Sequence, residues 1–320
     1  MAVYTTLGAA ELAALIGEYG VGTLVSAKGI AEGVSNSNWL IETTQDRFIL
    51  TMYEQRVALE DLPFFLGLLD HLAAKGSPVP RTIHDRDGAA FRMVRGKAVA
   101  LIEFLPGISV DIPRPAQARA VGEALAGLHL NSADFEGERP NTMALPAWRE
   151  LFSGCGKDGL SSIDPALPDL VAEELDLLGT AWPSELPRSV IHADLFPDNV
   201  LLLGDRVSGL IDFYFACTDL AAYDLAVTHA AWSFARDGAF RPEIAEALMQ
   251  GYSSRRGLSQ EEHAALPILA RGACMRFMAT RCYDWLHTPA DALVTRKDPL
   301  DFARRLAFYR GAGAEAFPGA

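Results

Sequence analysis

The feature that most constrains this chain is the stretch VIHADLFPDNVLLLGDRVSGLIDF, residues 190–213. It sets four aspartates, one asparagine and one histidine among apolar runs that are typical of buried strands. Carboxylates beside a core are costly to bury unless they are paired or bind a ligand. The spacing of these residues therefore needs a chemical explanation as well as a folding one.

The spacing predicts where three of these side chains meet. A strand delivers His192 and Asp194, and the loop that follows ends at Asn199. A hairpin that turns at residues 204–205 then returns the chain and delivers Asp212. We expect the hairpin to bring Asn199 and Asp212 together at its open end, with Asp194 facing them across the loop.

These three residues favour phosphoryl transfer. Asn199 and Asp212 would offer two oxygen ligands to Mg²⁺, which takes phosphate oxygens and water for the rest of its shell. Asp194 would orient an attacking hydroxyl and accept its proton. Structural turn aspartates are the plain alternative. A di-metal hydrolase is disfavoured because the other six histidines do not group with aspartates along the chain.

Composition narrows the remaining choices. The chain has 320 residues, half of them hydrophobic and 22% charged, which is enough for two lobes. The net charge of −13 disfavours nucleic acid and anionic membranes as partners. The four cysteines lack zinc-like spacing and indicate free thiols in a reducing compartment. Without a signal-like N-terminus or an apolar run of roughly 18 residues, the pattern predicts a soluble, cytoplasmic protein of undefined oligomeric state.

The order of the patterns predicts an α+β fold in two lobes. A small antiparallel sheet with one helix at residues 62–72 is expected first, and a larger, mostly helical part follows Gly107. Helical spacing is found there at residues 115–130, 242–255, 260–287 and 298–312. The predicted division is an N-terminal lobe over residues 1–102, a hinge over 103–108 and a C-terminal lobe over 109–320.

Several motifs give the chain a family resemblance. HADLFPDN, IDF, the downstream DLAAYDLA, GLH at residues 127–129 and the hinge-like IEFLPG resemble the aminoglycoside phosphotransferase and choline kinase superfamily, which has a protein-kinase-like fold. The longer phrases EGVSNSNWLIET, RFILTMYE and RFMATRCYDWL are similar to the bacterial homoserine kinases of that superfamily. The similar segments extend from Glu32 to Leu286, nearly the whole chain.

The resemblance implies a reaction and the residues that perform it. The expected reaction is ATP-dependent phosphorylation of the L-homoserine hydroxyl with Mg²⁺, in threonine biosynthesis. Asp194 falls on the catalytic aspartate, and Asn199 and Asp212 fall on the metal-binding pair. His192 would brace the loop, and Asp224 would hold it through backbone N–H groups. The alternatives are a kinase for an aminoglycoside or choline-like acceptor, or a catalytically silent nucleotide-binding module.

The implied nucleotide site lies in the N-terminal lobe. A Gly/Ser/Asn loop would cover the phosphates, with Ser35, Asn36 and Asn38 as candidate ligands; turn chemistry alone would explain the same residues. Glu103 and Leu105 of the hinge would offer backbone groups to adenine.

The chain departs from the family pattern at the phosphate-binding lysine. Thr51 stands near the position of that lysine, and Phe65 occupies the place expected for its glutamate partner. Either Lys28 or Arg56 would replace the lysine, or the branch would rely on Mg²⁺ and backbone donors.

The implied acceptor site lies in the C-terminal lobe. Homoserine presents a carboxylate, an ammonium group and the reacting hydroxyl, so its site needs an arginine fork and an acidic partner. The segment CMRFMATRCYDWL offers Arg276, Arg281 and Asp284, the last two on one helical face. A plain helix salt bridge would explain the same pair. Tyr214 is a further candidate.

Overall fold

The computed structural model describes residues 5–30, 36–54, 58–289 and 296–319. The helices of these ranges are α1 (Ala9–Gly17), α2 (Leu62–Ala74), α3 (Pro115–Asn131), α4 (Leu145–Ile163), α5 (Leu167–Ala181), α6 (Ala221–Trp232), α7 (Pro242–Arg255), α8 (Gln260–His287) and α9 (Leu300–Ala312). The strands are β1 (Leu24–Ile30), β2 (Asn36–Thr43), β3 (Arg47–Tyr53), β4 (Thr82–Ile83), β5 (Arg92–Val94), β6 (Lys97–Glu103), β7 (Arg188–Ile191), β8 (Val200–Leu203), β9 (Arg206–Leu210) and β10 (Cys217–Leu220).

The chain forms two compact units that are not continuous in sequence. The first unit contains Met1–Gly107, Phe135–Gly137 and Ser208–Tyr214. The second contains Ile108–Asp134, Glu138–Val207 and Phe215–Ala320. The assignment of nucleotide binding to one part of the chain and of acceptor binding to another stays a prediction.

The first unit is built on an antiparallel sheet with the order β1-β2-β3-β6-β4, and β5 pairs with β6. Strand residues alternate between its two faces. Trp39, Ile41, Leu50 and Met52 pack against helix α1 on one face, which we call the α1 face. Their neighbours in sequence, among them Thr51, therefore point to the opposite face, which we call the α2 face.

The second unit places the predicted catalytic loop at the end of a strand pair. β7 pairs antiparallel with β10, so that Ile191 lies opposite Cys217. β7 leads directly into His192, and β10 leads directly into α6, which carries Asp224. Because the strands are antiparallel, Leu220 lies opposite Arg188, and the Ala221 N–H at the start of α6 donates to the Pro187 carbonyl at 3.0 Å. Helix α6 runs back from there, so that Asp224 reaches the loop after β7. The predicted hairpin after Asn199 is confirmed as β8 and β9, with Gly204 in its turn at φ 64°.

The helical part of this unit is held by close backbone packing. Helices α3 and α7 approach so closely that a Cβ added at Gly251 would lie 2.0 Å from the Arg119 carbonyl oxygen. Helix α8 begins with a capping box in which Ser259 and Glu262 each bond the other's backbone N–H. None of the helices in the described ranges is long and apolar enough to cross a membrane.

Candidate active site

The loop from His192 to Asn199 is held by hydrogen bonds to its backbone N–H groups. The N–H groups of His192 and Ala193 each donate to the Asp224 carboxylate at 2.7 Å. The Asp194 N–H donates to Nδ1 of the fully buried His192 ring at 3.3 Å. Asp224 and His192 thus make the bracing contacts that their predicted structural roles require.

The carbonyl groups of the same loop are also paired. The Asn199 side-chain amide donates to the Asp194 carbonyl at 2.8 Å, and the indole of Trp232 donates to the Leu195 carbonyl at 2.9 Å. Because buried backbone groups are costly when unpaired, this bonding fixes the path of a loop that has no regular strand structure. The side chain of Asp194 remains 18% exposed, so it can still be reached by a substrate.

Asp224 is a buried carboxylate whose charge is compensated locally. Its Oδ2 is 3.0 Å from His129 Nε2, and the other ring nitrogen of His129 is 2.8 Å from the Tyr252 hydroxyl. Burial acts against ionisation, but the hydrogen bond and charge of His129, the charge of His192 and the His192 N–H hold the pKa of Asp224 below its usual value. Asp224 therefore stays an anion that accepts every N–H directed at it.

Two non-glycine residues of the predicted motif have left-handed backbone conformations. Ala193 has φ 63° and Asp212 has φ 67°. Such conformations cost about 1–3 kcal/mol each and persist where surrounding contacts enforce them. The hydrogen bonds of Asp224 enforce the conformation at Ala193. Backbone strain thus marks the residue before Asp194 and the second predicted metal ligand.

The predicted magnesium ligands have the chemistry that Mg²⁺ requires. The Asn199 amide nitrogen donates to the carbonyl and to Oδ2 of Asp194, the latter at 3.2 Å, so the side-chain oxygen of Asn199 is the atom that suits the predicted cation. Asp212 belongs to the first unit and is exposed. Hard oxygen donors of this kind fit Mg²⁺. No cluster of three or more His, Cys, Asp or Glu side chains suited to a metal was found among the described residues.

The predicted phosphate loop is partly replaced by strand. Asn36 and Asn38 belong to β2, so placing them in a loop was wrong, and Ser35 lies outside the described residues. Asn38 is opposite Thr51 in the sheet, and the Thr51 hydroxyl donates to the Asn38 side-chain oxygen at 2.8 Å. This bond orients the Asn38 amide nitrogen as a donor on the α2 face. Asn36 is 4% exposed, and its side-chain oxygen has no hydrogen-bond partner in the described ranges.

The hinge residues present one usable pair of backbone groups. The Glu103 N–H donates to the Arg81 carbonyl at 2.9 Å and is therefore unavailable to adenine. The Arg81 N–H donates to the Glu103 carboxylate rather than to its carbonyl. The Glu103 carbonyl and the Leu105 N–H are thus the groups that suit the predicted contact with adenine.

A lysine–glutamate ion pair does occur in the first unit, but on the opposite face from Thr51. Lys97 pairs with Glu54, and both lie two residues along from Val99 and Met52, which belong to the α1 face. Strand alternation directs this pair to that face and away from Thr51. Lys97 therefore does not replace the missing lysine.

Of the two replacement cations predicted, one can be located. Lys28 is exposed in β1 and lies opposite Leu40, whose neighbours Trp39 and Ile41 occupy the α1 face. Because cross-strand partners share a face, Lys28 belongs to the α2 face together with Thr51. Arg56 lies outside the described residues.

The predicted arginine and aspartate pair of the acceptor site is not formed. Arg281 donates instead to the Asp298 carbonyl at 2.9 Å and to the Asp301 carboxylate of α9 at 3.3 Å. Asp284 points to solvent at an exposed position of α8. Helix α9 provides the competing carboxylate, which is why the i, i+3 spacing alone gave the wrong partner. The desolvation of Arg281 lowers its pKa despite the charge of Asp301.

The other two acceptor candidates are also engaged. Arg276 is 2% exposed and donates to the Ala193 carbonyl. The ring of Tyr214 packs edge-on against those of Tyr53 and Phe65 within the first unit, and burial with the nearby Asp212 charge raises its pKa to about 12. A pocket of about 40 Å³ beside Tyr214 holds at most a few waters. These placements do not support the acceptor roles predicted for Arg276 and Tyr214.

Sequence reasoning gave no role to His129, Tyr252 or Trp232. His129 was visible only as part of the GLH motif, and its contact with Asp224 spans 95 residues. Trp232 lies 37 residues beyond Leu195 in sequence and was not distinguished from core residues. Their helical spacing indicates burial but not which backbone group they bind.

Comparison with known proteins shows the family of the chain. The model of the phosphotransferase enzyme family matches residues 26–258. The chain belongs to this phosphotransferase family. A homoserine kinase of Rhizobium etli (strain CIAT 652) is 49% identical over 316 residues, which cover 99% of this chain and 98% of that protein. A homoserine kinase of Nitrobacter winogradskyi is 51% identical over 313 residues, 98% of this chain and 96% of that protein.

The solved structures show the fold of this phosphotransferase. An amicoumacin kinase in complex with AMP-PNP and Ca²⁺ superimposes with a TM-score of 0.72 at 13% identity, covering 98% of this chain and 96% of that one. At this identity the likeness concerns the fold alone. The predicted α+β, protein-kinase-like fold, with an antiparallel sheet followed by a helical part, is confirmed.

Proposed function

We propose that this phosphotransferase transfers the γ-phosphoryl group of ATP to the side-chain hydroxyl of L-homoserine. The observation that carries the proposal is the identity of about half of all residues, over nearly the full chain, with proteins named homoserine kinases. The braced loop around Asp194 supports it, because phosphoryl transfer depends mainly on positioning. The product, O-phosphohomoserine, would serve threonine biosynthesis.

Asp194 is the residue to which we assign the acceptor hydroxyl. The hydroxyl oxygen of homoserine attacks the γ-phosphorus, and the bond from that phosphorus to the β,γ-bridging oxygen breaks to release ADP. The hydroxyl proton passes to the Asp194 carboxylate and then to solvent. Asp194 remains partly exposed, while Asn199 holds its carbonyl and Asp224 holds the N–H of the residue before it. It is thus accessible to the acceptor and held in position.

Asn199 and Asp212 are the residues we assign to Mg²⁺. The side-chain oxygen of Asn199 and the exposed carboxylate of Asp212 are the oxygen donors this ion prefers. When bound, the ion neutralises phosphate charge during transfer. The amide bond from Asn199 to Asp194 keeps the side-chain oxygen of Asn199 oriented for this purpose.

ATP is assigned to the α2 face of the first unit. The Glu103 carbonyl and the Leu105 N–H suit the adenine edge, and the Asn38 amide, oriented by Thr51, suits a phosphate oxygen. Lys28 supplies positive charge on the same face. The Asn38 amide and Lys28 would then bind the phosphates in place of the missing lysine–glutamate pair.

We place the activity in the cytoplasm. All four cysteines are free and buried, and burial raises the pKa of Cys217 and of Cys282 to about 12. Thiols of this kind are stable in a reducing compartment.

An acceptor panel tests the proposal. ADP release from Mg-ATP is followed by a coupled assay with L-homoserine, choline, an aminoglycoside and no acceptor. We expect turnover with L-homoserine alone. Turnover with another acceptor would retain the phosphotransferase reaction and refute the substrate, and equal ADP release without any acceptor would indicate a nucleotide-binding module that only hydrolyses ATP.

A further inference from the structure

We infer that Arg276 is a positioning residue for the reaction: it holds the carbonyl of Ala193, the residue before Asp194, while Asp224 holds the Ala193 N–H. The inference rests on the proposed function, since it concerns the loop that carries Asp194. It replaces the acceptor-binding role that the sequence suggested for Arg276.

The two clamps grip different groups of one strained residue. Asp224 accepts the N–H of Ala193, and Arg276, from helix α8, donates to its carbonyl. Ala193 has φ 63°, a conformation that an alanine does not adopt without support. Removal of either clamp frees this residue to relax to a negative φ, which would redirect the Asp194 side chain that follows.

The surroundings of Arg276 hold its guanidinium in one place. Its Cζ lies 4.4 Å from the ring centre of Phe277 and 5.0 Å from that of Phe215. Two aromatic faces keep the planar group oriented and exclude water from it. Arg276 is only 2% exposed, so a carboxylate in solution has little access to it.

Asp194 is the acidic partner of this buried charge. Nη2 of Arg276 lies 3.9 Å from Oδ1 of Asp194, while Oδ2 of Asp194 accepts from Asn199. A buried arginine needs a nearby anion to offset the cost of desolvation. The two carboxylate oxygens thus have different neighbours, which fixes the rotation of the carboxylate as well as its position.

Arg305 provides a matched control in the same unit. It also donates to a backbone carbonyl, that of Ala230 at 2.7 Å, and its Cζ lies 4.5 Å and 5.4 Å from the ring centres of Phe302 and Phe234. In the part of the chain that the structure describes, no hydrogen bond or ion pair joins Arg305 to the loop of Asp194. Its loss should affect folding without affecting phosphoryl transfer.

The test compares Arg276→Ala, Arg276→Lys and Arg305→Ala in the full chain. We expect Arg276→Ala to lower kcat at least ~100-fold, as small misplacements of reacting groups do, with both KM values within about 3-fold. Arg276→Lys should retain part of kcat, because an ammonium group can reach the Ala193 carbonyl but lacks the planar donor geometry of a guanidinium. Arg305→Ala should lower the melting temperature and leave kcat within about 3-fold.

Hydrogen exchange gives a second readout that does not depend on turnover. The amide protons of His192 and Ala193 should exchange at least ~10-fold faster in Arg276→Ala, equivalent to ~1.4 kcal/mol, and should be unchanged in Arg305→Ala. If Arg276→Ala does not fold, Arg276→Lys carries both measurements. This readout also separates the inference from the substrate assignment, because it stands whichever acceptor the unaltered protein uses.

Three results would overturn the inference. The first is normal kcat and normal exchange in a folded Arg276→Ala protein. The second is an equal loss of kcat in Arg305→Ala, which would indicate a general effect of lost stability. The third is a rise of at least ~10-fold in the homoserine KM with kcat retained, which would restore acceptor binding as the role of Arg276.

Discussion

The replacement of Asp224 by asparagine should separate folding from catalysis. Asp224 is fully buried and accepts the N–H groups of His192 and Ala193 at 2.7 Å and a contact from His129 at 3.0 Å. An asparagine accepts with only one of its two terminal atoms. In either orientation, one backbone N–H of the loop would face the amide nitrogen and lose its acceptor.

The cost follows from these contacts. A buried donor left unpaired costs ~1–3 kcal/mol, and the remaining bonds lose the strength that a charged acceptor gives them. We therefore expect Asp224→Asn to lower the free energy of unfolding by ~3–5 kcal/mol, the range for breaking a buried charged pair. A protein with a stability of ~5–15 kcal/mol can lose this amount and still fold.

Catalysis should fall further than stability explains. With Ala193 released, Asp194 moves, and we expect kcat to fall at least ~100-fold in protein that urea unfolding shows to be folded. Glu174→Gln is the matched control: its carboxylate is 1% exposed in the same unit and accepts from Arg271 at 2.7 and 3.0 Å. It should lose ~3–5 kcal/mol of stability and keep kcat within about 3-fold.

Two outcomes would refute this reasoning. If Asp224→Asn kept kcat while losing stability, the hydrogen bonds to the loop would not position Asp194. If Glu174→Gln lost as much activity as Asp224→Asn, the effect would follow from destabilisation alone.

Three further predictions concern other contacts. Thr51→Val should raise the ATP KM about 2- to 10-fold in steady-state assays, because the Asn38 amide loses a hydrogen bond of ~0.5–1.5 kcal/mol; an unchanged KM removes Thr51 from the site. Arg281→Ala should leave the homoserine KM unchanged and lower the melting temperature, because Arg281 is engaged by α9; a raised KM with normal ATP binding would restore its acceptor role. His84→Ala should lower the free energy of unfolding more at pH 6 than at pH 9 in urea titrations, by at most ~1 kcal/mol at this half-exposed site. An equal loss at both pH values would contradict the ion pair of His84 with Asp70.

The direction of the pH effect follows from the contacts of His84. The Gly88 carbonyl and then the Asp70 carboxylate raise the pKa of its imidazole above the usual value. Stability from this protonated ring is therefore fully present below the unfolded pKa of about 6.5 and is lost as pH rises through the higher folded value.

The contact between Asp194 and Asn199 could be predicted from sequence because it is local. Asp194 and Asn199 are five residues apart, and the intervening loop leaves few ways to place them other than in contact. The contact of Asp224 with the His192 N–H spans 32 residues, and it was expected from the family resemblance and not from spacing.

The partners of the arginines could not be predicted in the same way. Helical spacing places Arg281 near Asp284, but the ion pair with Asp301 depends on how α9 packs against α8. Arg276 meets Ala193 across 83 residues. Spacing along one helix gives the face of a side chain and not the element that lies against that face.

The strand register of the first unit shows a related difficulty. Asn38 and Thr51 pair because β2 and β3 are in one particular register, and a slip of one residue would turn both to the other face. The sequence predicts both residues as nucleotide ligands, but their mutual hydrogen bond and the placement of Lys97 on the opposite face could be known only from the sheet.

Phosphorus NMR of the reaction mixture tests the central claim most directly. With Mg-ATP and L-homoserine, we expect the unaltered protein to give a phosphomonoester signal that grows as the γ-phosphate signal declines. We expect no such signal with Asp194→Asn. Inorganic phosphate in place of the phosphomonoester would contradict transfer to homoserine. An undiminished rate of phosphomonoester formation in Asp194→Asn would contradict the role of the carboxylate around which the loop is built.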